Sequence, residues 1–102
     1  MKNVMIVDDN SLTAEDNEKN IDWSALDATV IAVEYNSLSA LDILKGTHVD
    51  LIISDIEMPD MDGISMSQKA LEIQPFIKVI LVSAYDKFEY AKRAIRLGVY
   101  DY

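Results

Sequence analysis

Leu51-Ile52-Ile53-Ser54-Asp55-Ile56-Glu57-Met58-Pro59-Asp60-Met61-Asp62-Gly63 is the stretch on which the fold turns. Leu51 to Ile53 is an apolar run rich in β-branched side chains and too short for an ordinary helix. It suits a strand buried on both faces of a parallel sheet. The run delivers one carboxylate, Asp55, onto a turn. Pro59 has no backbone N–H and Gly63 tolerates positive φ, so Glu57 to Gly63 is expected to form a loop at the carboxyl end of the strand. In open α/β sheets that end is where ligands bind.

Outward from this stretch the same pattern repeats. Asn3 to Val7 is a second short apolar run, and it too ends in carboxylates, Asp8 and Asp9. A helix is expected from about Ser11, capped by Asn10 or Ser11. Leu12 and Ala14 are its only apolar residues before Ile21, so it should be short or frayed, with Ile21 and Trp23 anchoring its end. Thr29 to Tyr35 reads as a strand, with Glu34 pointing to a sheet edge. Ser37 then caps a helix in which Leu38, Leu41 and Leu44 recur beside Ala40, and Gly46 takes the place of a terminating glycine. His48, alone and with no second histidine or cysteine nearby, is given no role. Ile64 to Gln74 is a helix closed by Pro75, Lys78 to Val82 a buried strand ending at Ser83, and Lys87 to Leu97 a helix stopped by Gly98. Val99 to Tyr102 begins a fifth strand. Strands alternating with helices make βαβ units, and the fold class is α/β.

Composition narrows the function. A chain of 102 residues, half of them hydrophobic, holds one domain with one core. With no cysteine there is neither a disulfide framework nor a thiolate site, so any metal must be bound through oxygen. The net charge of −9 repels phosphate backbones, so DNA contact by this segment is not expected. No apolar stretch approaches the roughly 18 to 20 residues of a membrane span, and the amino-terminal residues are unlike a signal peptide; a cytoplasmic protein is expected.

If the first and third strands are neighbours, Asp8, Asp9 and Asp55 converge at one edge of the sheet. Carboxylates about 5 Å apart repel by roughly 3 kcal/mol per pair at an effective dielectric near 20, so the cluster calls for a compensating cation. Carboxylates, a backbone carbonyl and waters form an all-oxygen set that suits Mg²⁺ better than Zn²⁺, and Mg²⁺ commonly joins carboxylates to phosphate oxygens. Phosphoryl transfer to a carboxylate nucleophile is the chemistry such a site supports. Ser83, at a neighbouring strand end, is placed to hydrogen-bond a phosphoryl oxygen. Asp60 and Asp62 are taken as solvated turn formers. A calcium loop aligned on Asp60 to Gly63 fails, because Met58 and Lys69 fall at ligand positions.

Val4-Met5-Ile6-Val7-Asp8-Asp9, Ile52 to Gly63 and Val82-Ser83-Ala84 together resemble the receiver domains of bacterial two-component response regulators, over the whole chain. Phe88 to Lys92 and Ala94 to Gly98 are similar to the subgroup that precedes an AraC-type DNA-binding domain. The resemblance implies a doubly wound, flavodoxin-like sheet of five parallel strands in the order 2-1-3-4-5. It implies Asp55 as the phosphoacceptor, charged by a sensor histidine kinase or a small acyl phosphate, and Asp8, Asp9 and the Glu57 backbone carbonyl as Mg²⁺ ligands with Asp55. Ser83 becomes the switch hydroxyl and Tyr102 the switch aromatic. The output face is expected on the fourth helix, fifth strand and fifth helix.

Three departures accompany the resemblance. The Glu57 side chain lies where it can approach the phosphoryl site, the first helix is unusually polar, and the lysine and fifth helix expected beyond Tyr102 are not in the sequence. The domain over residues 1–102 is therefore expected to be truncated in its fifth strand and to self-associate as a homodimer. Two further functions fit the residues. One is a Mg²⁺-dependent aspartyl-phosphate phosphatase with Glu57 as general acid; the other is a degenerate receiver that binds partners without phosphorylation.

Overall fold

The computed structural model describes residues 1–82. Four strands, β1 (Lys2–Val7), β2 (Ala28–Glu34), β3 (Leu51–Asp55) and β4 (Lys78–Val82), form one parallel sheet in the order β2-β1-β3-β4. Helices α1 (Ser11–Asn20), α2 (Ser37–Leu44) and α3 (Gly63–Ile73) connect them, with a 3₁₀ turn at Ser24–Leu26. This is the doubly wound, flavodoxin-like α/β fold. The expected helix over Lys87 to Leu97 and the strand from Val99 lie outside the described residues.

Strand alternation explains the layering. Met5 and Val7 point to one face of β1, Val4 and Ile6 to the other, and all four are fully buried. On the first face Met5, Val7, Ile52, Val79 and Leu81 pack with Ala40, Leu41 and Leu44 of α2 and with Ile64, Met66 and Ala70 of α3. On the other, α1 lies over β1 and β2, with Ala14 buried. Fully burying a side chain of this kind contributes about 1.5–3 kcal/mol. That packing is what holds α2 and α3, at 8 and 11 residues too short to be stable alone. The expected two-sided burial of the central run holds only in part, for in β3 Ile52 and Ser54 are buried while Leu51 and Ile53 are half-buried; β1 is the strand buried on both faces.

Several local expectations change. β3 runs through Asp55, which is the last residue of the strand and pairs in register with Val82, so the carboxylate sits on paired backbone rather than on a turn. α1 is a full ten-residue helix. The Asn10 side chain accepts from the Leu12 and Thr13 N–H groups at its start, and the Trp23 indole donates to the Glu18 carbonyl near its end. Trp23 thus anchors the helix, whereas Ile21 and Leu12 are exposed. Asn36, not Ser37, is the N-cap of α2, and Ser37 is its buried first residue. Leu38 is exposed: at about 100° per residue, Ser37, Ala40, Leu41 and Leu44 share one arc that excludes it. β2 is an edge strand, as Glu34 suggested, and β4 has the expected bounds.

Candidate functional site

The site arises from register. β1 lies between β2 and β3, so the chain leaves β1 toward one side and returns to its other side, opening a crevice at the carboxyl ends of β1 and β3. Val7 pairs with Ser54, which sets Asp8 level with Asp55 on the adjacent strand. Parallel strands lie about 4.8 Å apart. Accordingly one carboxylate oxygen from each of Asp8, Asp9 and Asp55 lies within 4.8 Å of the others. Asp8 is buried, Asp55 half-buried and Asp9 exposed, so the cluster opens to solvent on one side.

Among the described residues, few donors offset this charge. The Asn10 N–H donates to Asp8 Oδ1 over 2.9 Å, and the Ile56 N–H to Asp55 Oδ1 over 2.8 Å. Burial pushes the Asp55 carboxyl above its ordinary value, and the Asp8 and Asp9 charges add to that against the pull of the Ile56 and Glu57 N–H groups. Burial likewise raises Asp8, with Asp9 adding to it and the Asn10 N–H opposing. The site is thus a set of oxygen donors whose mutual repulsion a divalent cation would relieve. All-oxygen donors at this separation fit Mg²⁺.

The loop after β3 completes the floor. Gly63 opens α3 directly against the end of β3: its N–H donates to the Ile56 carbonyl over 2.7 Å, and a Cβ at this position would collide with the Asp55 carbonyl oxygen. Glycine is required here for close approach, and not for the positive φ anticipated from the sequence. Asp62 is the N-cap of α3, accepting from the Ser65 N–H over 2.8 Å. Asp60 is exposed, as expected of a solvated turn former, but its carboxylate also accepts from the Ser37 and Leu38 N–H groups of α2. Glu57 is exposed on this loop. Ser83 and Tyr102 lie outside the described residues; Val82, which precedes Ser83, is the register partner of Asp55.

A family model, the response regulator receiver domain, matches residues 4–102. The chain belongs to this family of signalling domains. Over all 102 residues it is 29% identical to the uncharacterized transcriptional regulatory protein YesN of Bacillus subtilis, of which it spans 28%. It spans 40% of the length of two further curated relatives, response regulatory proteins of Staphylococcus epidermidis that are 30% and 28% identical to it. Among solved structures, the REC domain of AraT, a response regulator from Geobacillus stearothermophilus, is 36% identical with a TM-score of 0.91, over 99% of this chain and 78% of that one. The CheX-CheY-BeF3-Mg²⁺ complex from Borrelia burgdorferi is 27% identical with a TM-score of 0.85, over 97% of this chain and 74% of that one. Among the described residues, no helix is long and apolar enough to cross a membrane.

Proposed function

We propose that this chain is a phosphorylation-dependent switch of a two-component system, in which Asp55 accepts a phosphoryl group in a Mg²⁺-dependent reaction. The observation that carries the reading is the convergence of Asp8, Asp9 and Asp55 within 4.8 Å at the switch point of the sheet. The similarity to a CheY solved with BeF3 and Mg²⁺ supports it. Asp8, Asp9, Asp55 and the Glu57 backbone carbonyl would hold the ion. When bound, Mg²⁺ neutralises the acidic cluster and the charge on the transferring phosphoryl oxygens.

The chain's own residues do the rest. The Ile56 N–H fixes the Asp55 carboxylate by donating to Oδ1, which limits its rotation as it meets the donor. A carboxylate oxygen attacks phosphorus, forming an acyl phosphate on Asp55. The phosphorus–nitrogen bond of a kinase phosphohistidine breaks, or acetate leaves from acetyl phosphate. Ser83 is the proposed hydroxyl that follows the phosphoryl group, and Tyr102 the aromatic that follows Ser83. The partner is a sensor histidine kinase. The effector is a DNA-binding domain, of AraC type by the resemblance of residues 88–98, in keeping with transcriptional regulation by YesN.

The test is incubation with Mg²⁺ and acetyl phosphate, followed by intact mass and phosphate release. A retained phosphoryl adduct that is lost in Asp55→Asn and in EDTA is the expected result. Continuous phosphate release without an adduct would favour a phosphatase. No reaction, with partner binding intact, would favour a degenerate receiver. An adduct persisting in Asp55→Asn would defeat the assignment of the nucleophile.

A further inference from the structure

The seven residues from Ile56 to Asp62 join β3 to α3, and their placement decides where the Glu57 carbonyl stands. The two ends of the loop are fixed locally, by the Gly63 N–H on the Ile56 carbonyl and by the Asp62 cap on α3. Its middle is fixed from elsewhere. The Ser37 N–H donates to Asp60 Oδ1 over 3.3 Å, the Leu38 N–H to Asp60 Oδ2 over 3.0 Å, and the Ser37 hydroxyl to the Met61 carbonyl over 2.6 Å. These donors stand 22 to 24 residues upstream, so Asp60 ties two elements together as well as bonding within its own turn.

Asp60 also meets the positive end of the α2 dipole and two of that helix's otherwise orphan N–H groups. α2 has its own cap: the Asn36 side chain accepts from the Ser39 N–H over 2.8 Å. Asp60 therefore adds to that cap at Ser37 and Leu38 and, by the same bonds, fixes the position of the loop. Burial works against the charged form of Asp60, yet the N–H groups of Leu38, Ser37, Met61 and Asp60 itself hold its carboxyl below the ordinary value.

We infer that Asp60 is a positioning residue for the phosphoacceptor site, clamping the β3–α3 loop and its Glu57 carbonyl to the amino end of α2. The inference rests on the Mg²⁺ reading above. Groups that orient a metal ligand tune metal affinity without touching the ion. Linkage adds a second consequence. If the clamp favours the bound ion, the ion favours the clamp by the same factor, so Mg²⁺ must protect the Ser37 and Leu38 amides.

The test uses the full chain, with Mg²⁺ titrated against backbone amide shifts and with hydrogen exchange measured at Ser37 and Leu38. Asp60→Ala should weaken Mg²⁺ binding about tenfold, within the range of such supporting groups. Asp60→Asn, which keeps one acceptor oxygen, should weaken it less. Gln74→Ala is the control for general destabilisation, because Gln74 braces the opposite end of α2; it should lower Tm and leave Mg²⁺ affinity unchanged. In the wild type, saturating Mg²⁺ should slow exchange at Ser37 and Leu38, and in Asp60→Ala it should not.

Wild-type affinity in Asp60→Ala would overturn the inference, as would equal weakening in Asp60→Ala and Gln74→Ala at equal loss of Tm. Should Asp60→Ala fail to fold, Asp60→Asn and the wild-type exchange rates decide the matter, and exchange at Ser37 and Leu38 that ignores Mg²⁺ sinks it. A wild-type chain that binds no Mg²⁺ defeats the site reading itself, and the clamp's role with it. Mg²⁺ binding in the wild type with no change in Asp60→Ala defeats the clamp alone.

Discussion

The two ends of the sheet are built to opposite specifications. At the amino end, Asp50 accepts from the Asn3 N–H over 2.7 Å and stands 2.8 Å from His48 Nε2. There Gln74 accepts from the Val49 N–H and donates to the Leu44 and Thr47 carbonyls. One amide side chain thereby ties the end of α2, the end of α3 and the start of β3. At the carboxyl end, three carboxylates face one another with few donors between them among the described residues. One end is satisfied and stabilises the fold; the other keeps unrelieved charge for a ligand to neutralise. Stability and function are thus separated along the strands, a trade commonly seen at binding sites.

The comparison breaks most visibly at Gly63. Because a Cβ there meets the Asp55 carbonyl oxygen and backbone at Asp55 and Ile56, Gly63→Ala must push α3 away from β3 or displace the strand end. The expected cost is about 3 kcal/mol, the upper end for overpacking. Phosphorylation should fall with it, since the displaced backbone carries Asp55. Urea melts and adduct yield measure both. A variant of wild-type stability would show that the approach of α3 to β3 is not the constraint claimed here.

Gln74→Ala tests the amino end. Removing the amide leaves the Val49 N–H and the Leu44 and Thr47 carbonyls to find water, and the half-buried setting limits the loss to about 1–2 kcal/mol. Thermal melting should register it, while the phosphoryl adduct forms as in the wild type. Loss of adduct formation would mean that the two ends are not independent.

Asp55→Asn should act in the reverse sense. It removes repulsion of roughly 3 kcal/mol per pair before screening, so the metal-free chain should gain about 1 kcal/mol, or about 4–8 °C in Tm for a domain of this size. Mg²⁺ should raise the Tm of the wild type by mass action and hardly move that of the variant. A destabilised Asp55→Asn, in EDTA, would argue that the cluster is satisfied internally and holds no deficit of charge.

Much of this division was legible in the sequence wherever the determinants are local. Asp8, Asp9 and Asp55 stand out because each follows an apolar run, and β4 is bounded correctly by the apolar run from Lys78 to Val82. The link from Asp60 to α2 is not legible, because Ser37 and Leu38 are more than twenty residues away and nothing in a turn sequence announces a donor on another helix. Gly63 was flagged for the wrong reason: a close approach between backbones is a tertiary fact, whereas positive φ is a local habit of glycine. The recurrence of Leu38, Leu41 and Leu44 identifies the helix but not its buried arc, which excludes the exposed Leu38. For α1 the Asn10 cap and the Trp23 anchor are legible, but the short or frayed helix expected from its polarity is a full ten residues.

The smallest expected effect separates the two ends by pH. Asp50 is held below its ordinary value of 3.8, first by the Asn3 N–H and then by His48, so its stabilisation is present above 3.8 and is lost as pH falls through the lower folded value. Asp8 and Asp55 are raised above 3.8, first by burial, so folding binds protons there and the metal-free chain gains stability as pH falls from neutral through their folded values toward 3.8. In EDTA the Tm should therefore rise modestly on mild acidification, pass through a maximum and fall once Asp50 protonates. General relief of the net negative charge acts in the same direction, so the comparison that isolates the site is wild type against Asp55→Asn. The variant lacks one raised carboxyl and should show a shallower rise with an unchanged acid limb. Saturating Mg²⁺ should remove the rise in the wild type, since the ion already neutralises the cluster at neutral pH. Superimposable profiles for the two proteins in EDTA would place the raised carboxyls somewhere other than this site.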